Sequence, residues 1–316
     1  MPLFSLRRDG LTSPAWLVLA LLAAAGAGWL GRRAWRRRRL ARLFARPLPA
    51  FARDILARRA PLLARLPAEL KPRLEGHVQC FLAEKTFVGC GGLVVDDEMR
   101  LTIAAHASLL VLHRDPPVWR SFSTVLVYPE SFVAPEVEYD GPVEIHRRHV
   151  RAGESWPRGP VVLSWADVLE GAADPGDGYN VVLHEFAHKL DEEYAEQPDK
   201  PLLDPAGRAR WLRVLSREFE RFRRRLEEGQ EDFIDEYAAL SPAEFFAILT
   251  ELFFERGAEL RRRLPELYEQ LAAFYRLDPA SWETFPSGKP RSASAVRCTE
   301  TLPTPANWPH RCRRRE

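Results

Sequence analysis

The segment Asn180–Asp191, NVVLHEFAHKLD, sets two histidines four residues apart in an otherwise apolar stretch. On an α-helix, positions i and i+4 project from one face, so His184 and His188 would aim both rings at one point. Val181, Val182, Leu183, Phe186, Ala187 and Leu190 would bury the other faces. Imidazole in such surroundings is costly unless something binds it. The spacing lets two ring nitrogens meet one Zn²⁺ at about 2.0–2.1 Å. Glu185 completes an HExxH pattern. In that arrangement the glutamate stays off the metal, takes a proton from the attacking water and later delivers it to the leaving amine. Asn180 can cap the helix by accepting a backbone N–H. The pattern also arises by chance, as two satisfied or surface histidines on an ordinary helix.

Catalytic zinc needs a third protein ligand and an open position. The best candidate lies in IDEYAALSPAEFFAILTELFFE. Ser241 reads as an N-cap, Pro242 occupies the first turn and Glu244 the third position. The helix is otherwise apolar, with Phe245, Phe246, Ile248, Leu249, Leu252 and Phe253. A carboxylate buried there needs a partner. Glu244 is assigned as the third ligand, and Glu251, seven residues on, as an acceptor for a ligand histidine N–H. Glu244 has a second possible role as the acid of a capping box, and Glu251 as an exposed salt-bridging acid. Asp191 shares the histidine face and either orients a ligand or fixes the helix end. Tyr237, seven residues before Glu244, is a core tyrosine or a phenol near the metal that stabilises an oxyanion. His106 and His113 are taken as structural.

Charge divides the 316 residues into three parts. Residues 1–60 carry +11 and residues 288–316 carry +5, which leaves the 61–287 body at −14 within a total of +2. An acidic body excludes a nucleic-acid-binding domain, which needs clustered Lys and Arg, so no direct nucleic-acid partner is expected. The 4 cysteines show no paired spacing and read as reduced thiols. Residues 11–31 are free of charge, about one hydrocarbon thickness as a helix. Trp16 and Trp29 bracket them, and Arg32, Arg33, Arg36–Arg39 and Arg42 follow. The expectation is a single transmembrane helix in a bacterial inner membrane, N-terminus outside and the body cytoplasmic. The arginines would sit against anionic lipid heads. A cleaved signal peptide and a soluble buried helix are the alternatives, the last giving a cytoplasmic protein.

Proline-broken amphipathic helices are predicted over 40–75, a helix of about 14 residues from Asp97, and helices over 205–228 and 242–276. Strands are predicted at Ser123–Val133 and Gly159–Trp165, with a loop at AADPGDGYN. From residue 287 the chain is rich in Pro, Ser and Arg and reads as a disordered tail.

With GCGGLVVDDEMRLTIAAHASLLVLH, VLVYPESF, AGESWPRGPVVLSW, GYNVVLHEFAHKLD and DEYAALSPAEFFAILTELFF, the chain resembles the MtfA-like (Mlc titration factor) zinc peptidases of bacteria over about 75–275. HEFAHKLD with the Tyr237–Glu244 spacing is also similar to the catalytic domain of anthrax lethal factor, a related gluzincin. The resemblance implies an α+β, zincin-like metallopeptidase domain, mostly helical with a small sheet; the one transmembrane helix expected before it, and the tail after 287, lie outside the matched region and depart from the family's pattern. It implies one Zn²⁺ per chain on His184, His188 and Glu244, with Glu185 as base and acid and Tyr237 as oxyanion stabiliser. It also implies aminopeptidase-like action on a peptide or protein substrate, and binding of an Mlc-like repressor of sugar uptake. The organisation expected is an anchor with a basic flank over 1–35, the peptidase domain over 36–286 and the tail over 287–316. An extended substrate is expected along an edge strand, for which GPVVLSW is the candidate. The rival reading is a non-catalytic protein that sequesters a transcription repressor, its zinc structural.

Overall fold

The computed structural model describes residues 14–140, 143–151, 153–155, 159–195 and 203–282. In chain order the elements are α1 (Pro14–Phe44), α2 (Ala50–Arg59), α3 (Lys71–Glu84), β1 (Thr86–Gly89), α4 (Asp97–Leu109), β2 (Thr124–Tyr128), β3 (Phe132–Asp140), β4 (Val143–Arg151), β5 (Gly153–Ser155) and β6 (Val161–Ser164). Then follow α5 (Trp165–Ala173), α6 (Val181–Ala195), α7 (Pro205–Glu227), α8 (Pro242–Glu255), α9 (Gly257–Arg263) and α10 (Pro265–Tyr275). The architecture is mostly helical with a small sheet in the order β1-β2-β6-β5. β1, β2 and β6 run parallel, and β5 joins β6 antiparallel. β3 and β4 pair separately as an antiparallel ribbon.

Local chemistry sets the helix ends. The helix predicted from Asp97 starts there because the Asp96 carboxylate accepts the Met99 N–H at 2.9 Å. The helix predicted over 242–276 is three helices. Arg256 ends α8, and Pro265, which cannot donate an N–H, opens α10. GPVVLSW is not an edge strand: β6 lies between β2 and β5, all four of its residues buried. The outer strands of this sheet, among the described residues, are β1 and β5.

The expected transmembrane helix over 11–31 is overturned, and the single-pass inner-membrane placement falls with it. No helix among the described residues is long and apolar enough to cross a membrane. α1 continues without a break from its apolar half into the arginines. From Pro14 to Gly31 its charge-free part rises about 27 Å, below the roughly 30 Å of a hydrocarbon core, and the arginines follow in the same helix. Its C-terminal end packs on α3, where Arg36 pairs with Glu84 and the Cys80 thiol meets the Leu40 carbonyl. The basic tail from 287 lies outside the described residues.

The core surrounds α6. Phe186 is fully buried among Phe81, Trp119 and Phe122, with ring centroids 5.2–5.7 Å from it. Leu183, Ala187 and Leu190 are also buried. α8 packs against the opposite side of α6, and its own far side is filled by Phe253, Phe254, Tyr268 and Tyr275. The histidine helix is thus held between an aromatic wall and a second apolar helix.

His77 of α3 lies buried with its ring edge-on to Phe44, centroids 4.9 Å apart. Burial, with Arg73 nearby, pulls its pKa down to about 4. The unfolded chain therefore takes up this proton first. Stability is full above the unfolded value and falls as pH drops from about 6.5 towards 4, by about 3 kcal/mol in all. Urea denaturation at pH 7 and pH 4.5 should show a loss about 2–3 kcal/mol smaller in His77→Phe than in wild type. An equal loss in both would place the titration elsewhere.

Candidate metal centre

α6 begins where Asn180 caps it, its Oδ1 accepting the Leu183 N–H at 3.1 Å. The first turn then carries His184 and the second His188, on one face. Across from them α8 begins at Ser241, whose hydroxyl accepts the Glu244 N–H at 3.1 Å. Glu244 turns its carboxylate to the histidines. Its Oε2 lies 3.0 Å from His184 Nε2 and 3.5 Å from His188 Nε2, and the two ring nitrogens are 3.2 Å apart. The capping-box alternative for Glu244 requires a bond to the Ser241 N–H, and none is found among the described residues. All three side chains keep a minor part of their surface open to solvent.

Four ligands placed tetrahedrally at about 2.0–2.1 Å from a metal stand roughly 3.4 Å from one another. The three separations match that edge. Chemistry makes the same demand. Glu251, 3 % exposed, accepts from His184 Nδ1 at 2.8 Å, which assigns that nitrogen the proton. The Nε2 lone pair of the neutral ring then faces a second imidazole nitrogen and a carboxylate oxygen. Three electron-rich atoms converging in this way need a cation between them. The group His184, His188 and Glu244 can therefore hold a metal ion.

In the bare site a proton on His184 supplies that positive charge. Burial works against a charged His184, but the carboxylates of Glu244 and Glu251 overcome it and raise the pKa well above its usual value. Burial raises Glu244, and the two histidines reverse this, holding it far below the carboxylate range. Glu251 is raised, because its complete burial outweighs His184 and the Asn180 N–H.

Glu185 is buried beside His184, and its charge acts on that ring. Tyr237 stands in a short 3₁₀ turn, Glu236–Ala239, whose start is fixed by Asp235 accepting the Tyr237 N–H at 2.8 Å. Its ring lies 6.4 Å from the His184 ring and is 48 % exposed, which removes the core-tyrosine alternative. Asp191 is at the solvent edge of α6. The surrounding protein raises its carboxyl pKa, and His188 draws it part of the way back. His106 is buried in α4, its Nδ1 2.9 Å from the Thr102 carbonyl, and belongs to no metal-ligating group among the described residues. Sequence reasoning missed Glu255, whose carboxylate reaches Asn180 and Gly178. Its spacing of four from Glu251, on the same helical face, was the available signal.

A family model described as glucose-regulated metallo-peptidase M90 matches residues 32–276. An uncharacterised protein of Synechocystis sp. is 38 % identical over 272 residues, spanning 84 % of this chain and 98 % of that protein. Mlc titration factor A of Salmonella agona is 34 % identical over 227 residues, spanning 70 % of this chain and 84 % of that protein. The Salmonella arizonae protein of that name has the same identity and spans 88 % of its own length.

Metal analysis tests the centre. Purified wild type should hold metal, and His184→Ala and Glu244→Ala should lose it. Glu251→Gln should weaken binding by about 10–100-fold, the usual effect of removing a partner of a ligand histidine. Full metal content in either alanine variant would show that the ligand set is wrong.

Proposed function

We propose that this chain, which belongs to the glucose-regulated metallo-peptidase M90 family, is a zinc-dependent peptidase with its metal on His184, His188 and Glu244. The observation that carries this reading is the convergence of three ligand atoms within 3.0–3.5 Å of one another, with a buried glutamate following the first histidine. Two imidazoles, one carboxylate and an open side suit zinc in a catalytic site. When bound, zinc supplies a Lewis acid that brings the pKa of water towards neutrality and polarises the scissile carbonyl.

The chain's own residues do the rest. Glu185 takes the proton of the attacking water and returns it to the leaving amine. The Tyr237 phenol donates to the oxyanion as the carbonyl carbon becomes tetrahedral. Glu251 holds the His184 ring and its tautomer through Nδ1, and Asp191 acts on His188 by charge. An extended peptide lies along β5, the outer strand packed beside α6, and pairs with its backbone. Aminopeptidase-like trimming of short peptides is the activity to assay first.

A second reading draws on the relatives named Mlc titration factor A. In it the chain also binds, or only binds, an Mlc-like transcription repressor, and the metal is structural.

Glu185→Gln should keep its zinc and lose hydrolysis by about 10²–10⁴-fold. Tyr237→Phe should lower kcat by about 10–10³-fold with little change in zinc content. Cleavage by Glu185→Gln at the wild-type rate would remove the base from the scheme. Retention of an Mlc-like repressor by the Glu185→Gln protein in a pull-down would separate binding from catalysis.

A further inference from the structure

We infer that Glu255 is a positioning residue of the metal centre, acting with Asn180 to fix the entry of the histidine helix against α8. The inference rests on the reading of His184, His188 and Glu244 as metal ligands.

Glu255 is the last residue of α8, one turn beyond Glu251, and is buried. Its two oxygens have different partners: Oε1 accepts from Asn180 Nδ2 and Oε2 from the Gly178 N–H, each at 3.1 Å. Glu251 repeats the pattern one turn earlier. Its Oε2 accepts the Asn180 backbone N–H at 2.5 Å and its Oε1 meets His184 Nδ1 at 2.8 Å. Asn180, also buried, caps the first turn through Oδ1 and leans on the Gly171 carbonyl at 3.4 Å. A continuous hydrogen-bonded path therefore runs from Gly178 through Glu255, Asn180 and Glu251 to His184.

The backbone is shaped for this path. Gly178 has φ +88°, and a Cβ there would lie 2.9 Å from the Leu252 side chain of α8 and 3.0 Å from that of Arg256 just beyond it. At this φ a residue with a Cβ is strained, so glycine suits the turn that presents its N–H to Glu255. The far end of α8 is itself held, since Arg65 Nη1 donates to the Glu255 carbonyl at 2.8 Å.

Burial raises the Glu255 pKa well above the carboxylate range, and the two N–H donors oppose the rise. Such a group is costly to keep, and a plain helix end needs nothing so elaborate. What it achieves is division of labour. With Asn180 tied to Glu255, the Glu251 carboxylate does not have to hold the helix end alone and can keep one oxygen for His184. The ligand Nε2 is only one turn from Asn180, so rotation at the cap moves it directly.

Both partners of Glu255 are donors, which gives a specific test on the full chain. In Glu255→Gln one amide N–H must face another N–H. Zinc affinity, measured by competition with a chromophoric chelator, should fall about tenfold, within the range for outer partners of ligand histidines. Adding Asn180→Asp reverses the direction of the bond: the new amide at position 255 donates to the new carboxylate at position 180, which still caps Leu183 and gives up only the long 3.4 Å donation to the Gly171 carbonyl. Affinity should return to within about threefold of wild type, a coupling typical of residues in contact. The absorption of the Co²⁺ protein should shift in the single variant and recover in the double. If Glu255→Gln does not fold, folded Asn180→Ala should show a comparable loss of affinity. Wild-type affinity in Glu255→Gln, or in Asn180→Ala, overturns the proposal, as does a double variant no tighter than the single. Wild type that binds zinc while these variants do too would sink the positioning role alone. Wild type that binds none would overturn the ligand assignment and this inference together.

Discussion

An imidazole held between two carboxylates governs the geometry of this protein. His184 meets Glu244 through one ring nitrogen and Glu251 through the other, at 3.0 and 2.8 Å. Both acids come from α8 and stand seven residues apart, two turns along one face. The pair therefore fixes the distance between α6 and α8 and also the rotation of each. Charges buried in an apolar core are tolerated only when such geometry is met. The remaining faces of α8 are filled with phenylalanine and leucine and have no other use for two acids.

The opposite side of α6 is mainly aromatic, with Glu193 accepting the Ser121 N–H at 2.7 Å beside the rings. Phe186 stands within the HExxH segment itself, so a single residue step separates the buried glutamate from the aromatic wall of Phe81, Trp119 and Phe122. Dense packing on this side keeps the helix from rolling, because a core does not give way by small amounts. The sheet contributes at one remove. β6 leads through Ser164, whose hydroxyl caps α5, and Gly171 of α5 comes close enough to touch the Asn180 backbone. Strand, short helix and histidine helix are positioned in sequence.

Much of the local structure was legible because its causes are local. Asp96, Ser241 and Asn180 are caps that the sequence displays within four residues of what they cap. The spacing of His184 and His188 states a shared face outright. The Glu244 assignment needed only the further rule that a buried acid must have a partner. Pairing was not legible in the same way. GPVVLSW reads the same whether its neighbours cover one side or two; β2 comes from well before it, and β5, close in the chain, is a strand of only 3 residues with little pattern to show. The breaks at Arg256 and Pro265 were masked by apolar residues that continue at helical spacing through both. Glu255 escaped for another reason. Its partners are backbone and side-chain donors of a loop whose path depends on Gly178, and the spacing of four from Glu251 marks the face but not the loop that turns towards it. In the head, absence of charge was read as membrane length, although the helix found there carries its arginines without interruption.

The placement of the centre at the start of α6 follows from what a helix N-terminus lacks. Its first N–H groups have no partners within the helix and carry a partial positive charge. Asn180 caps Leu183, and Glu251 and Glu255 hold that cap by accepting from residues 180 and 178 while setting acidic groups at the positive end. Glu251 then has an oxygen left for His184. Glu251 thus joins Glu244 in making the histidine basic, and a basic His184 keeps its proton tightly while the site is bare. A cation entering between His184, His188 and Glu244 must displace that proton, so its binding weakens in acid. Capping, ring orientation and proton release are in this way consequences of one contact between α6 and α8, and none of them can be altered without disturbing the other two.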